Sequence, residues 1–340
     1  GRGGHRWAQN AAEKVYACRE LAGKIFDLSP ERVCFTCNAT HGLNIAIHSV
    51  VKSGDRVVIS GFEHNAVLRP LYYIGAKVVI AGKKLFDPKD TIEDFKEKIT
   101  DDTKAVICTH MSNVFGYILP VQEIADVCRE KKVPFILDAS QSAGTLPISV
   151  KKMQAAYVAM PGHKGLYGPQ GTGLLLCGDL PEPLIQGGTG SVSSDSVMPE
   201  FLPDRVEAGT HNVPGICGLL EGLRFIEKND LKRILLHERY LSDEACNFMQ
   251  NCDDIKIFRG EPNVQGGVVS FQCDRFDCEV LADFLAKKDI AVRAGLHCAP
   301  LAHRSASTFQ DGTVRISFSA FNDINDIELF VSAIRELLHL

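Results

Sequence analysis

The stretch VAMPGHKGLYGPQG, residues 158–171, places Lys164 in a run of glycines directly after a predicted strand, YVAM (157–160). Most lysines are solvated surface charges. Ligands of open α/β sheets, however, bind beyond the carboxyl ends of the strands, which is where Lys164 lies. Other polar or small residues follow three more predicted strands: Ala39 with Thr40, Glu63 with His64, and Asp138 with Gln141. We therefore predict one site at this edge of the sheet.

A lysine at this position suits a Schiff base to an aldehyde cofactor. Pyridoxal phosphate requires such a lysine together with an acidic partner for its pyridine nitrogen. Asp138 is placed to be that partner, although an aspartate at a strand end is often only a helix N-cap. A helix that begins near Thr40 could bind phosphate through its free N–H groups and its dipole. Considered one at a time, Lys164 could be a cofactor ligand or a surface lysine, and Asp138 could be a cofactor ligand or a helix N-cap.

A second stretch, RAGLHCAP (293–300), contains Cys298 in a glycine-containing loop. The chain has twelve cysteines, and most of the others lie in predicted strands or helices, as buried inert thiols do. The neighbouring His297 and two nearby arginines, Arg293 and Arg304, could favour the thiolate form of Cys298. Cys298 is therefore the candidate nucleophile.

The composition excludes several classes of protein. The 340 residues carry a net charge of −5 with scattered Lys and Arg, which argues against nucleic acid or an anionic membrane as partner. No apolar run reaches the roughly 18 residues of a spanning helix. Dispersed cysteines predict reduced thiols and a cytoplasmic protein. The pair Cys34 and Cys37 lacks the second pair of a zinc site. The first residues resemble no signal peptide, and the missing initiator Met leaves a longer front segment open.

Short apolar strands alternate with helices over the first half of the chain, which predicts an α/β domain with a mostly parallel, buried sheet. The segment 157–177 predicts a hairpin-like return to that sheet. A Gly/Ser/Pro-rich loop follows after residue 185, and the remaining helices and strands predict a smaller α+β module. We predict a large domain over residues 1–220 and a small C-terminal domain over 221–340 that carries the Cys298 loop.

Six motifs, NATHGLN, FEHNAVL, LDASQSAGTLPI, GHKGLYGPQGTGLL, EAGTHN and RAGLHCAP, occur in this order along the chain. In these motifs the sequence resembles the class V aminotransferases, in the branch of the cysteine desulfurases and selenocysteine lyases. The resemblance implies the fold type I of pyridoxal-phosphate-dependent transferases, with a seven-stranded, mostly parallel sheet in the large domain.

The resemblance also implies which residues contact pyridoxal 5'-phosphate. Lys164 would attach the cofactor covalently and transfer protons. Asp138 would contact the pyridine nitrogen, Gln141 the phenolic oxygen and His64 the ring face. The phosphate would be bound by Ala39, Thr40 and His163. In the family, the threonine at the position of Thr210 reaches the phosphate of the neighbouring subunit. A homodimer with shared active sites is thereby implied.

The implied reaction converts L-cysteine to L-alanine and leaves a persulfide on Cys298, which attacks the substrate sulfur. Arg315 would bind the substrate carboxylate through a bidentate pair, with Arg293 as a second substrate contact. A surface arginine on a strand is the alternative for Arg315. The persulfide must then pass to a sulfur-acceptor protein or a reductant, and L-selenocysteine would react by the same route.

The sequence departs from the family at the phosphate. Pro161 stands where many members have a serine, His41 stands where an acidic residue is usual, and GHKGLYGP has one residue more than the common GHK-x-YGP. These changes predict rearranged phosphate contacts that rely more on Thr210 and the helix N-terminus.

Two alternatives remain at this stage. A class V aminotransferase or lyase for another small amino acid would share Lys164, Asp138 and Gln141 without needing Cys298. A non-catalytic protein of the same fold would act as a scaffold or sulfur-relay platform. The glycine run does not predict nucleotide binding, because GHKGLYGPQG has neither the glycine spacing of a P-loop nor that of a dinucleotide-binding motif.

Overall fold

The computed structural model describes residues 3–339. The first sheet contains the strands β1 (Val33–Thr36), β2 (Arg56–Ser60), β3 (Lys77–Ala81), β4 (Thr103–Thr109), β5 (Phe135–Asp138), β6 (Tyr157–Pro161) and β7 (Gly173–Cys177). Their order across the sheet is β1-β7-β6-β5-β4-β2-β3. The pairs from β3 to β6 are parallel, and β7 runs antiparallel to both of its neighbours. The prediction of a mostly parallel seven-stranded sheet with a hairpin-like return is confirmed.

Seven helices accompany this sheet: α1 (Arg6–Phe26), α2 (Ala39–Val50), α3 (Asn65–Ile74), α4 (Pro88–Lys98), α5 (Val121–Glu130), α6 (Val150–Met153) and α7 (Val213–Asn229). Both faces of the sheet are covered. Val58 of β2 packs in the core that includes residues of α1, α5 and α7, whereas Val57 and Ile59 pack in the core with α2 and α3. The alternation follows from the two-residue period of a strand. Strands buried on both faces explain the nearly continuous apolar runs in the sequence.

The second sheet belongs to an α+β module. Its elements are α8 (Leu231–Met249), β8 (Ile255–Phe258), β9 (Val268–Cys273), α9 (Cys278–Ala286), β10 (Arg293–Gly295), α10 (Pro300–Ser305), β11 (Thr313–Ser317) and α11 (Ile324–Leu338). The antiparallel order is β10-β11-β9-β8. Residues of α8, α9 and α11 cover the sheet in a core of their own. Helix α7 spans residue 220 and buries Leu219 and Leu223 in the first core. The domain division near residue 220 stays a prediction.

None of the helices described is long and apolar enough to cross a membrane. All twelve cysteines are free thiols.

Candidate active site

A cavity lies at the carboxyl edge of the parallel strands. Seven of the residues predicted to contact the cofactor line it: Ala39, Thr40, His64, Asp138, Gln141, His163 and Lys164. Parallel strands end at the same edge of a sheet, which is why residues far apart in sequence meet here. Thr210 is exposed in the loop before α7 and is not among the residues that line this cavity.

Lys164 lies in the loop between β6 and β7. Its Nζ makes no hydrogen bond or ion pair with any residue between 3 and 339. The side chain reaches solvent through the cavity, yet protein surrounds most of it, and this burial lowers the pKa of Lys164. The nearby charge of Asp138 acts in the opposite direction, whereas Arg315 and Arg293 lower the pKa further. A lysine with a lowered pKa has a larger fraction of neutral amine at neutral pH than a surface lysine, and only the neutral amine acts as a nucleophile or a general base.

Asp138 is the last residue of β5 and is buried. One carboxylate oxygen, Oδ1, accepts hydrogen bonds from the backbone N–H of Ser140 at 2.9 Å and from its hydroxyl at 2.5 Å. The other oxygen, Oδ2, takes no hydrogen bond within the described part of the chain, and Asp138 lines the cavity. The carboxylate therefore has one oxygen fixed and one available to a ligand.

The N-terminus of α2 offers free donors. The N-cap Asn38 accepts from the backbone N–H of His41 at 2.9 Å. The N–H groups of Ala39 and Thr40 have no acceptor among residues 3–339, so they are available to an anion. The His41 ring accepts through Nδ1 from the backbone N–H of Cys37 at 3.3 Å.

His64 forms the N-cap of α3, where its Nδ1 accepts from the backbone N–H of Ala66 at 3.0 Å. In the neutral ring the proton is therefore on Nε2. Burial lowers the pKa of His64, with further lowering by the charge of Lys164, and Asp138 opposes this effect. His64 is consequently held as a neutral imidazole at the cavity wall.

Glu63, which the sequence placed beside His64 at the predicted site without a specific role, is a buried carboxyl and is not among the residues that line the cavity. Its Oε1 accepts from the hydroxyl of Ser60 and from the backbone N–H of Thr109 at 2.7 Å, while Oε2 has no hydrogen-bond partner within residues 3–339. Burial raises the pKa of Glu63 to about 8, and the charge of Asp138 contributes in the same direction. Glu63 is therefore largely neutral at pH 7.

Arg293 and Arg315 lie directly opposite each other in the β10–β11 pair. Like charges in this arrangement repel. Arg315 donates from Nη1 to the backbone carbonyl of Asn113 at 2.8 Å, while its buried Nε has no hydrogen-bond partner in the described part of the chain. No carboxylate among the described residues pairs with either arginine. Burial, together with the charge of Arg293, lowers the pKa of Arg315 to about 10. Two unpaired guanidinium groups indicate an anion-binding site.

Cys298 follows β10, and its side chain is exposed. Its sulfur is 3.6 Å from Nη2 of Arg293. The backbone carbonyl of Cys298 accepts from the N–H of Asn65 at 2.8 Å, and the carbonyl of His297 accepts from Nδ2 of Asn113 at 2.8 Å. Asn65 adjoins His64, and Asn113 lines the cavity. The thiol loop is therefore hydrogen-bonded at two points to residues at the cavity.

Two expectations about the surroundings of Cys298 were wrong. The His297 ring does not support the thiolate, because it is buried and burial lowers its pKa to about 3, which leaves it neutral. Arg304 places its guanidinium over the Phe309 ring, 4.3 Å from the centroid. Arg293 alone of the three basic neighbours contacts the sulfur.

Sequence reasoning missed Asn113, which contacts both the Cys298 loop and Arg315. An asparagine in the segment SNVFG gives no local signal of this double role. For Cys34, the nearest sulfur is that of Cys177 at 3.8 Å, and Cys37 is exposed. Across residues 3–339, no group of three or more His, Cys, Asp or Glu is placed to hold a metal ion.

The comparisons with known proteins agree with this architecture. The family model "Aminotransferase class-V" matches residues 1–330, and the chain belongs to this family. A probable cysteine desulfurase of Pyrococcus abyssi is 32% identical over 99% of this chain and 86% of that protein. A cysteine desulfurase of Haloferax volcanii is 29% identical over 98% of this chain and 81% of its own length. The solved cysteine desulfurase of Thermococcus onnurineus superposes with a TM-score of 0.90 at 30% identity, covering 99% and 87% of the two chains.

Members of this family depend on pyridoxal phosphate, and the chain is a pyridoxal-phosphate-dependent enzyme of this class. The cavity fits the cofactor in three respects. It has an unpaired lysine, a buried carboxylate with one unused oxygen, and a helix N-terminus with two unused N–H donors. Pro161, which lines the cavity, provides no hydroxyl for the phosphate.

Proposed function

We propose that this protein is a cysteine desulfurase that converts L-cysteine to L-alanine and receives the sulfur on Cys298. The observation that carries the proposal is the exposed thiol of Cys298, 3.6 Å from Arg293, on a loop hydrogen-bonded to Asn113 in the wall of the lysine cavity. An aminotransferase has no use for a thiol at this position. Relatives over nearly the whole chain bear the name cysteine desulfurase, which supports the same activity.

Different residues of the cavity would bind different parts of the cofactor. Lys164 would bind it covalently, Asp138 would pair with the pyridine nitrogen, and Gln141 would contact the phenolic oxygen. His64 would lie on the ring face, and Ala39, Thr40 and His163 would bind the phosphate. When bound, pyridoxal phosphate stabilises negative charge at the α-carbon of an amino acid.

Arg315 would bind the carboxylate of L-cysteine, with Arg293 nearby, because no carboxylate between residues 3 and 339 pairs with either cation. Lys164 would take the α-proton. The thiolate of Cys298 would then form a bond to the substrate sulfur while the substrate C–S bond breaks. The electron pair of that bond stays with the carbon fragment, which leaves as alanine after protonation, and a persulfide remains on Cys298.

Several finer points belong to the same proposal. A persulfide on an exposed residue is open to a sulfur-acceptor protein, and L-selenocysteine would follow the same route. Thr210 is exposed and lies outside the cavity of its own chain, as a residue that reaches a partner's phosphate would, so we propose a homodimer with shared sites. Twelve free thiols suit a reducing compartment, and we propose the cytoplasm.

Incubating the purified holoenzyme with L-cysteine and a thiol reductant tests the proposal. We expect sulfide and alanine in equal amounts, because each turnover breaks one C–S bond. Formation of a keto acid without alanine would identify an aminotransferase instead. A purified protein that shows no cofactor absorbance and no turnover would favour the non-catalytic scaffold.

Replacing Arg315 with lysine should raise the KM for L-cysteine. Lysine keeps the charge but cannot form the paired hydrogen bonds of a guanidinium with a carboxylate. Loss of one charge-assisted hydrogen bond costs about 1.5–3 kcal/mol, which corresponds to a roughly ten- to hundredfold higher KM. Steady-state alanine formation measures this change. Arg304→Lys, at an exposed arginine that stacks on Phe309, is the matched control. A KM within twofold of wild type in Arg315→Lys would remove Arg315 from the substrate site.

A further inference from the structure

The two residues at the tip of the thiol loop adopt an unusual backbone conformation. His297 has φ +50° and Cys298 has φ +58°, both in the left-handed region. Neither residue is a glycine, and such conformations persist only where the surrounding structure enforces them. Two of them in succession, at the candidate nucleophile, require an explanation from the surrounding contacts.

The His297 side chain supplies one such contact. Its ring is buried, and Nε2 is 3.1 Å from Oγ1 and 3.2 Å from the backbone carbonyl of Thr313. The hydroxyl of Thr313 donates to Oγ of Ser270 at 3.2 Å, and the hydroxyl of Ser270 donates to the carbonyl of Val114 at 2.6 Å. We call this series, from His297 through Thr313 and Ser270 to Val114, the His297 chain.

The His297 chain has a single direction. The carbonyl of Val114 can only accept, so the one hydroxyl proton of Ser270 is committed to it, and the proton of Thr313 is committed to Ser270. Thr313 must then accept from His297 through both of its oxygens. The ring proton is therefore on Nε2, and the lowered pKa of about 3 keeps the ring neutral. The chain ends at Val114, next to Asn113, whose side chain binds the carbonyl of His297.

We propose that His297 is a positioning residue: the His297 chain holds residues 297 and 298 in the left-handed conformation that presents the Cys298 thiol beside Arg293 at the cavity. This inference rests on the proposed desulfurase function. His297 does not touch the reacting atoms. Its ring, its carbonyl and the carbonyl of Cys298 are each fixed by a different hydrogen bond, so the backbone at the thiol has little freedom.

The competing interpretation is a buried histidine that only stabilises the core. A neighbouring group provides the matched comparison. His303 stacks on His297 with ring centroids 5.6 Å apart, and its Nδ1 pairs with Oγ1 of Thr308 at 2.8 Å. Thr308 is buried, as Thr313 is, but its hydroxyl pairs with His303 and makes no hydrogen bond with His297. Valine has nearly the same shape as threonine, so each replacement removes one buried hydroxyl and little else.

The experiment compares Thr313→Val and Thr308→Val as holoenzymes. Loss of one hydrogen bond is worth about 1 kcal/mol, so Thr313→Val should lower kcat about fivefold while KM and cofactor absorbance stay unchanged. Alkylation of Cys298 by iodoacetamide, followed by peptide mapping, should slow by a similar factor, because the sulfur is no longer held in one exposed position beside the guanidinium of Arg293. Alkylation of the exposed Cys37 in the same molecules should not change. Thr308→Val should match wild type within twofold in both measurements.

Each outcome decides the matter. If both valine variants lower the melting temperature alike but leave kcat and Cys298 alkylation unchanged, or if alkylation becomes faster, the positioning role is wrong. Should Thr313→Val fail to fold, Ser270→Ala breaks the same chain one residue further on and carries the same expectations. If wild type releases no sulfide but Thr313→Val still slows Cys298 alkylation, the desulfurase function fails while the role of His297 stands.

Discussion

Replacing Lys164 with alanine should reduce alanine formation from L-cysteine by at least about a thousandfold. Lys164 is assigned two tasks, covalent binding of the cofactor and removal of the α-proton, and no other lysine lines the described cavity. The variant should also lose bound cofactor on gel filtration more readily than wild type. The absorbance of the eluted protein measures cofactor content, and the alanine assay measures turnover.

The variant Lys164→Arg tests whether the positive charge at this position is sufficient or whether the amine itself is needed. Arginine preserves the cation near Asp138 but provides no nucleophilic amine at neutral pH, so this variant should be as inactive as Lys164→Ala. Lys152→Ala, at an exposed lysine of α6, serves as the control and should retain wild-type activity. Turnover of Lys164→Ala within tenfold of wild type would contradict the assignment and require a different base.

The position of the site could be predicted because strand ends in a parallel sheet converge. The strand predicted at residues 157–160 is β6 in the structure, within one residue of its expected bounds, and the strands predicted near Glu63 and Asp138 are β2 and β5. The residues that follow them line one cavity. Helix and strand patterns therefore carried enough information to bring Lys164 and Asp138 together, although they contained nothing about the order of the strands.

Elements with weak patterns were missed. Strand β8, with the sequence IKIF, lies at an edge of the second sheet and is only partly buried, so it lacks the long apolar run of a central strand. Helix α10 has six residues that begin with Pro300, too few for a helical period to be visible. This helix follows the Cys298 loop directly, and its absence from the prediction left the geometry of that loop undetermined.

The environment of the thiol could not be predicted for a different reason. Whether His297 faces Cys298 or the interior depends on its backbone torsion angles, and left-handed φ values at residues other than glycine have no sequence signature. The unpaired state of Arg293 and Arg315 depends on the register of β10 against β11. The contacts of Asn113 join segments that lie far apart in the sequence. Such features arise from tertiary structure alone.

Replacing Cys298 with serine should lower sulfide release by at least about a thousandfold, because a hydroxyl is a poor nucleophile toward sulfur and cannot carry a persulfide. Cofactor binding should be unaffected, since Cys298 is not among the residues that line the cofactor cavity. Sulfide and alanine assays measure the loss. Mass spectrometry of wild-type protein treated with L-cysteine should find one added sulfur atom on the peptide that contains Cys298.

Cys37→Ser is the matched control, because Cys37 and Cys298 are the two exposed thiols of the twelve cysteines. Exposure alone would make both cysteines equally fit to accept sulfur. Cys298, however, has an arginine 3.6 Å from its sulfur and lies on a loop bound to the cavity wall. If Cys37→Ser lost sulfide release while Cys298→Ser retained it, the sulfur acceptor would lie beside α2. If both variants turned over another amino acid as fast as wild type does, the protein would be a class V enzyme whose reaction needs no sulfur transfer.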